Sequence, residues 1–316
     1  MALYLGLDTS NYASSAALYD TQTDKVYMNR KLLPVQEGSL GLRQSEAVFL
    51  HVKQFSDVIN ELLRQANCAG QPLSGIGVSV FPRRAEGSYM PCFLVGKMVA
   101  KALADVNQLP CYTFSHQEGH ITSALYSSGC MNFFQKRFLA FHVSGGTTEA
   151  VLVEPSDSSL FSAQLVAKTL DLHAGQLVDR IGGLLGCKFP AGPEVEALAA
   201  NYTGIIRTRA TLKGADVCLS GIENQCRKLL DEGRDASYIA RFCLESICSA
   251  LCAMVQKLTN EYGHLPVVFA GGVMSNLLIR NRLAQTAECY FAEPSFSADN
   301  AAGIAILASR KGKKCE

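Results

Sequence analysis

Residues 138–153 read Phe138-Leu139-Ala140-Phe141-His142-Val143-Ser144-Gly145-Gly146-Thr147-Thr148-Glu149-Ala150-Val151-Leu152-Val153, and this stretch decides the fold. An apolar run meets a turn of small and hydroxyl residues, and a second apolar run follows. That is the pattern of a β-hairpin whose turn can offer backbone N–H and hydroxyl groups to a phosphate. The pattern also occurs near the start of the chain. Residues 3–8 are apolar up to Asp8, Thr9-Ser10-Asn11-Tyr12-Ala13-Ser14 forms the turn, and residues 15–19 return as Ser-Ala-Ala-Leu-Tyr. Two unrelated hairpins would give the same outline. The hydroxyl-rich turn in each half instead predicts a duplicated α/β architecture, two similar lobes around a cleft.

Working outward, residues 45–66 carry apolar positions at helical spacing: Val48, Phe49, Val52, Phe55, Val58, Ile59, Leu62 and Leu63. A strand is expected over 75–80, a loop rich in Arg, Glu and Gly over 81–91, a helix over 93–107 and a short strand over 109–114. In the second half, helices are expected over 169–186 and 236–262. The first ends at the stop signal Gly-Cys-Lys-Phe-Pro-Ala-Gly-Pro, and the second carries Cys243, Cys248 and Cys252. Residues 265–270 read as a buried strand, broken by Gly271-Gly272 into a helix beginning near Ser275. Two adjacent glycines there would let a flat ring or a phosphate approach bare backbone. The expected division is an N-terminal lobe over 1–125, a C-terminal lobe over 126–296, and a terminal helix over 297–316 that returns to the first lobe.

Composition adds limits. At 316 residues the chain can bury a sizeable core. Its 29 basic and 28 acidic residues leave a net charge of +1, so composition gives no nucleic-acid footprint. No signal peptide or run long enough to span a membrane is apparent, and the 12 cysteines contain no Cys-x-x-Cys pair. Cys243, Cys248 and Cys252, in an apolar helical pattern, read as small buried hydrophobes in a reducing cytoplasm. The basic tail Arg310, Lys311, Lys313 and Lys314 reads as a disordered end that could aid RNA binding.

Chemistry is expected at His116-Gln117-Glu118-Gly119-His120. Two histidines four apart share a helical face and can reach one metal ion. Asp299, in Ala298-Asp299-Asn300-Ala301-Ala302-Gly303, opens an apolar small-residue helix and has two readings. It is either an N-cap or the third member of a His/His/Asp set that leaves positions open on Zn²⁺ or Fe²⁺. His142 reads as a packed strand residue, and His173 as part of a helix start capped by Asp171. Arg83 and Arg84 read as a solvated loop or as a clamp for an anion.

In this order the motifs resemble the TsaD family, and the resemblance covers nearly the whole chain. That family lies in the superfamily of actin, Hsp70 and the sugar kinases, so the expected fold is an actin-like α/β fold of two duplicated lobes around a nucleotide cleft. The resemblance implies transfer of a threonylcarbamoyl group from its AMP adduct to an adenosine of tRNA. It also implies one divalent metal, Fe or Zn, held by His116, His120 and Asp299, and ATP, AMP or an acyl adenylate as the nucleotide. The Val-Ser-Gly-Gly run matches Val143, Ser144, Gly145 and Gly146 on the phosphate side, with Thr147 where the family has a histidine; Thr9 lies in the other turn. Asp179 matches the ribose-binding acid, Gly192 the binding glycine of a Pro-Gly-Gly-Pro turn, and Gly271, Gly272 and Asn276 the base side. Implied partners are tRNA, a homologous subunit and an ATPase, with no membrane; the resemblance leaves the oligomeric state open.

The departures cluster on the acceptor side. Tyr12 and Ala13 stand where the family has Asp and Glu, Arg83 and Arg84 stand in its Gly-Pro-Gly loop, Glu223 replaces a lysine, and Gln176 a glutamate. The catalytic group is therefore open among Tyr12, Arg83, Arg84 and Glu223. The alternatives are a carbamoyltransferase acting on a small molecule or a protein side chain, and a nucleotide-binding scaffold without catalysis. A zinc protease is disfavoured, because Gln117 stands where such an enzyme has Glu.

Overall fold

The computed structural model describes residues 2–34, 42–67, 71–156, 159–297 and 300–315. The chain forms two compact units, one of Met1–Tyr126 with Ala298–Glu316 and the other of Ser127–Ser297.

Unit 1 is built on β1 (Leu3–Thr9), β2 (Ala13–Asp20), β3 (Lys25–Leu32), α1 (Gln44–Gln65), β4 (Leu73–Phe81), α2 (Phe93–Asn107), β5 (Cys111–Ser115) and α3 (His116–Ser127). The hairpin predicted at the start pairs Leu3 with Asp20 through Thr9 with Ser14. The sheet order is β3-β2-β1-β4-β5, with β1, β4 and β5 parallel. Helices α1 and α2 serve as the crossovers that parallel strands require. Leu5, Leu7, Ile76 and Val78 of the sheet pack with Phe55, Val58 and Leu62 of α1 and Val95 of α2.

The buried stripe of α1 is Ala47, His51, Gln54, Phe55, Val58 and Leu62. This corrects the sequence expectation, because Phe49 and Val52 are each 60 % exposed. They fall outside the 3.6-residue stripe, and two polar residues take the buried places. His51 donates from Nε2 to the Ser10 carbonyl at 2.8 Å and accepts at Nδ1 from the Ser14 hydroxyl at 2.7 Å, the tautomer that the carbonyl dictates. Gln54 donates to Ser14 Oγ at 3.0 Å and to the Lys31 carbonyl at 3.1 Å. These bonds fasten the first hairpin turn to α1.

In unit 2 the elements are β6 (Phe138–Val143), β7 (Thr148–Pro155), β8 (Phe161–Lys168), α4 (Ala174–Leu184), α5 (Gly192–Ala200), β9 (Leu212–Lys213), β10 (Asp216–Val217), α6 (Ser220–Asp231), α7 (Ala236–Tyr262), β11 (Val267–Ala270), α8 (Leu277–Leu283) and β12 (Cys289–Phe291). Its main sheet runs β8-β7-β6-β11-β12, with β6, β11 and β12 parallel. Two antiparallel pairings followed by two parallel ones repeat the order of unit 1 strand for strand. Phe141 and Phe269 pack in the core as a tilted pair with ring centroids 4.9 Å apart. Val143, Leu244, Ile247, Leu251 and Val255 lie in the same cluster.

Three expectations are corrected in this unit. The helix expected over 169–186 begins only at Ala174, because Thr169 and Leu170 bond to the 217 region instead. Asp171 does not cap that helix. Its Oδ1 accepts from the N–H groups of Leu172 (2.6 Å) and Leu219 (2.8 Å), and its Oδ2 from the N–H and hydroxyl of Ser220, so it caps the start of α6. Burial opposes ionisation there, yet these bonds hold its carboxyl below the ordinary range. His173 takes the N-cap position of α4. Lastly, α7 is long and apolar enough by length and composition to cross a membrane, although 67 % of its apolar window is buried.

α9 (Ala301–Cys315) belongs to unit 1. It packs on β1, β2 and β4 through small residues. A Cβ on Gly6 would overlap the Ala301 carbonyl, and one on Gly303 would overlap the Gly119 carbonyl of α3. The basic tail expected to be disordered lies on this helix through Lys313.

Candidate functional site

The residues nominated from the sequence fall into two groups, one in each unit. In unit 2, Ser144, Gly145, Asp179, Gly192, Gly272 and Asn276 all line one cavity of about 410 Å³. Four elements deliver them. The β6–β7 turn brings Ser144, whose hydroxyl accepts from the N–H groups of Gly146 (3.3 Å) and Thr147 (3.1 Å). Its carbonyl accepts from Gly175 N at 3.0 Å, and a Cβ on Gly175 would lie 2.5 Å from Gly145 N. The turn and α4 can therefore approach only because that position is glycine. Asp179, one turn further along α4, accepts from Ala191 N at 2.9 Å and so fixes the turn that presents Gly192. Gly271 sits at φ +104° against the Val143 backbone, leaving the 272 backbone open, and Asn276 Oδ1 caps α8 through Ile279 N at 3.1 Å.

Some nominated residues do other work. Val143 is fully buried in the core, while Gly146, Thr147 and Gly271 are not among those lining the cavity. Thr9 is buried in unit 1, donating to the Cys92 carbonyl at 2.9 Å and accepting from Gly96 N at 3.1 Å. It joins β1 to α2. Glu196, which no motif singled out, also lines the cavity; it stands four residues after Gly192 on α5, one helical turn along the same face.

In unit 1, His116 and His120 begin α3 with ring centroids 4.7 Å apart. Asp299 lies outside the described residues. Asp8, a lone acid in an apolar strand, was not anticipated: it is 1 % exposed, meets His116 Nδ1 at 2.9 Å and accepts from the Ser79 hydroxyl. Burial opposes its charge, but His116 and these hydrogen bonds hold its carboxyl below the ordinary range. A carboxylate on one ring nitrogen is how a metal-bound imidazole is oriented. Asn300 sets its amide against His116 Nδ1 and Nε2 at 2.9 and 3.0 Å, and its Oδ1 is buried without a partner. Two adjacent imidazoles, one oriented by a carboxylate, and an unsatisfied buried oxygen fit a divalent cation. Among the described residues no group of three or more His, Cys, Asp or Glu could hold a metal.

The departing residues take varied places. Tyr12 is 55 % exposed and Ala13 opens β2. Arg84 pairs with Glu118 at 3.0 Å, and Glu118 in turn accepts from the Ser115 N–H and hydroxyl at the start of α3. The 81–91 loop is thus tied to the histidine helix. Glu223 is clamped: Arg180 meets Oε2 at 2.9 Å and Arg227 meets Oε1 at 2.7 Å. One carboxylate with two guanidiniums leaves this cluster at +1, so the apparent change from cation to anion is offset by its neighbours.

Two sheets of identical strand order, with a glycine-bordered cavity beside the second hairpin turn, define the class of actin, Hsp70 and the sugar kinases. Solved structures agree on the fold. Component A of the (R)-2-hydroxyglutaryl-CoA dehydratase of Acidaminococcus fermentans has a TM-score of 0.57 at 17 % identity, covering 99 % of this chain and 100 % of that one. A ROK family glucokinase from Streptomyces griseus, in complex with glucose and AMPPNP, has a TM-score of 0.54 at 12 % identity, covering 98 % and 100 %. HypF from T. kodakarensis has a TM-score of 0.60 at 12 % identity, covering 98 % of this chain and 47 % of its own. Within that class the sequence is specific. The TsaD family model, tRNA N6-adenosine threonylcarbamoyltransferase, matches residues 36–306, and the chain belongs to that family. Enzymes of that name from two strains of Thermus thermophilus are 29 % identical over 314 residues, covering 98 % of this chain and 93 % and 92 % of theirs.

Proposed function

We propose that this protein is a nucleotide- and metal-dependent carbamoyl-type transferase that takes its group from an acyl adenylate held in the unit 2 cavity. The observation that carries this reading is the convergence of six sequence-nominated residues on one cavity of about 410 Å³. Ser144 and Gly145 meet the phosphate, Asp179 accepts from the ribose hydroxyls, and Gly272 and Asn276 border the base. An acceptor nitrogen attacks the carbamoyl carbon, the bond from that carbon to the phosphate oxygen breaks, AMP departs with the electron pair on that oxygen, and the proton of the acceptor nitrogen passes to solvent. His116, His120 and Asp299 would hold the divalent ion, which when bound supplies Lewis-acid polarisation.

The family acceptor is an adenosine of tRNA, and we take tRNA as the leading acceptor for this chain. A second acceptor, a small molecule or a protein side chain, is favoured by one observation. Tyr12 and Ala13 supply no carboxylate at the first hairpin turn, where a base would take the acceptor's proton. A homologous subunit and an ATPase are proposed as partners in the cytoplasm. The exposed apolar residues Phe49 and Val52 of α1 and Leu94 and Met98 of α2 support a protein partner on unit 1.

Calorimetric titration with AMP tests the donor half. Wild-type protein should bind, and Asp179→Ala should weaken binding about tenfold or more, since a hydrogen bond to a charged group contributes ~1.5–3 kcal/mol. Equal affinity in the two proteins would remove Asp179 from the site.

A further inference from the structure

A second and larger cavity, of about 710 Å³, adjoins the first. The two share Pro193, Glu196 and Leu244 as lining residues, whereas Ser144 and Gly145 line only the smaller one. They meet at the α5–α8 wall and not at the hairpin turn. Glu196 Oε1 accepts from Leu277 N at 2.7 Å across that wall, with Leu277 lining the larger cavity and its neighbour Asn276 the smaller. With phosphate at the hairpin turn, the base end of a nucleotide points to this junction. The larger chamber is therefore an extension of the base end.

Its chemistry is mixed. Ala197, Ala200 and Leu277 present an apolar side, and Leu277 is 63 % exposed, with no protein group covering most of it. The same cavity is also lined by buried Glu245, which holds Arg241 through Oε1 at 2.9–3.0 Å and Arg282 through Oε2 at 3.0 Å. Each guanidinium carries five N–H donors. The hydrogen bonds to Glu245 use one donor from Arg241 and one from Arg282, so the cluster keeps a net positive charge and spare donors.

We propose that unit 2 takes an adenine nucleotide enlarged at its base, with an apolar, flat root against the alanine face of α5 and a carboxylate at its tip facing the arginines. The larger chamber's volume lies within the range of small-molecule sites, and it is an open groove lined largely by exposed side chains. A nucleotide without such a group leaves the larger chamber to water. This inference rests on the nucleotide reading above, and its test separates the two.

The probes are AMP and N6-(4-carboxybenzyl)-AMP, titrated calorimetrically into the full-length protein, its Ala200→Trp variant and its Gln285→Trp variant. Both positions line only the larger chamber and both are exposed, so the added bulk does not enter the core. The expected result is at least tenfold tighter binding of the substituted nucleotide to wild type. Either tryptophan should abolish that preference while leaving the AMP affinity unchanged. Weaker binding of the substituted nucleotide than of AMP to wild type overturns the inference, as does a preference that survives both tryptophans. Failure of AMP itself to bind removes the nucleotide reading, and the inference with it.

Discussion

Replacing Glu223 by Gln tests the arginine clamp, and the structure sets the size of the effect. The glutamate side chain is 11 % exposed, but those of Arg180 and Arg227 are 55 % and 52 % exposed. Removing the charge does not strand a buried guanidinium, because water reaches both. The loss is therefore nearer to that of two surface pairs, ~0.5–1 kcal/mol each, than to the ~3–5 kcal/mol of a broken buried pair. A total of about 1–2 kcal/mol should lower the urea midpoint by about 0.3–0.7 M at pH 7, with an unchanged slope of ~3 kcal/mol/M for a chain of this length. The pH dependence has a defined sign. The hydrogen bonds from Arg227 and Arg180 hold the Glu223 carboxyl below its ordinary range against the opposing effect of burial. The contribution is thus fully present above the unfolded glutamate value of about 4.3 and is lost as pH falls through the folded value. Wild type and Glu223→Gln should differ at pH 7 and converge in acid. A difference that persists undiminished at pH 3, or none at pH 7, would refute the clamp.

Three other outcomes follow from the packing and the two sites. Gly6→Ala places a methyl group 2.5 Å from Ala305 N and inside the Ala301 carbonyl, so α9 must lift from the sheet. The loss should exceed the ~1–3 kcal/mol of ordinary overpacking, and an unchanged melting temperature would contradict the close approach. Cys252 accepts hydrogen bonds from Cys248 and, at 3.3 Å, from the Thr286 hydroxyl; these, with the Arg282 charge, outweigh burial and hold its thiol below the ordinary cysteine range. Iodoacetamide should modify it at lower pH than Cys111, whose thiol is pushed up chiefly by burial; equal pH profiles would refute this. His120→Ala should lower the divalent metal content to below half of wild type by atomic emission, because one of about three protein ligands is lost. Equal metal content would separate His120 from the site, and Asp299→Asn retaining both metal and stability would leave Asp299 as a cap only.

Much of the fold was legible because each hairpin shows its two apolar runs and its hydroxyl-rich turn in contiguous sequence. The helices α5 and α6 and the strand β8 were not: α5 is only nine residues long, α6 is mostly polar, and β8 is an edge strand whose burial is decided by β7. Phe49 and Val52 misled for a related reason. The buried stripe of α1 contains His51 and Gln54, whose partners lie 37 and 40 residues away at Ser14. Six residues lining the smaller unit 2 cavity were found through motifs, whereas Glu196 and Asp8 belong to none, and Asn300 stands in the Asp299 run without having been singled out. Their signals were nonetheless present. Glu196 follows Gly192 by one helical turn, and Asp8 is an acid in an otherwise apolar strand that demands a buried partner. The compensation of Glu223 by Arg180 and Arg227 could not be read from one position, since Arg180 comes from another helix 43 residues earlier.

The account stands on a donor half retained in unit 2 and an acceptor side that has changed. The most direct measurement incubates the purified protein with labelled threonylcarbamoyl-AMP, total tRNA and a parallel pool of small-molecule amines, and follows both AMP release and the label. AMP should be released in a reaction that Asp179→Ala suppresses. The label should enter tRNA more slowly than with a Thermus thermophilus relative, or pass to the amine pool instead. No AMP release above the uncatalysed rate with either acceptor would contradict a transferase, and transfer to tRNA at the relative's full rate would contradict a changed acceptor side.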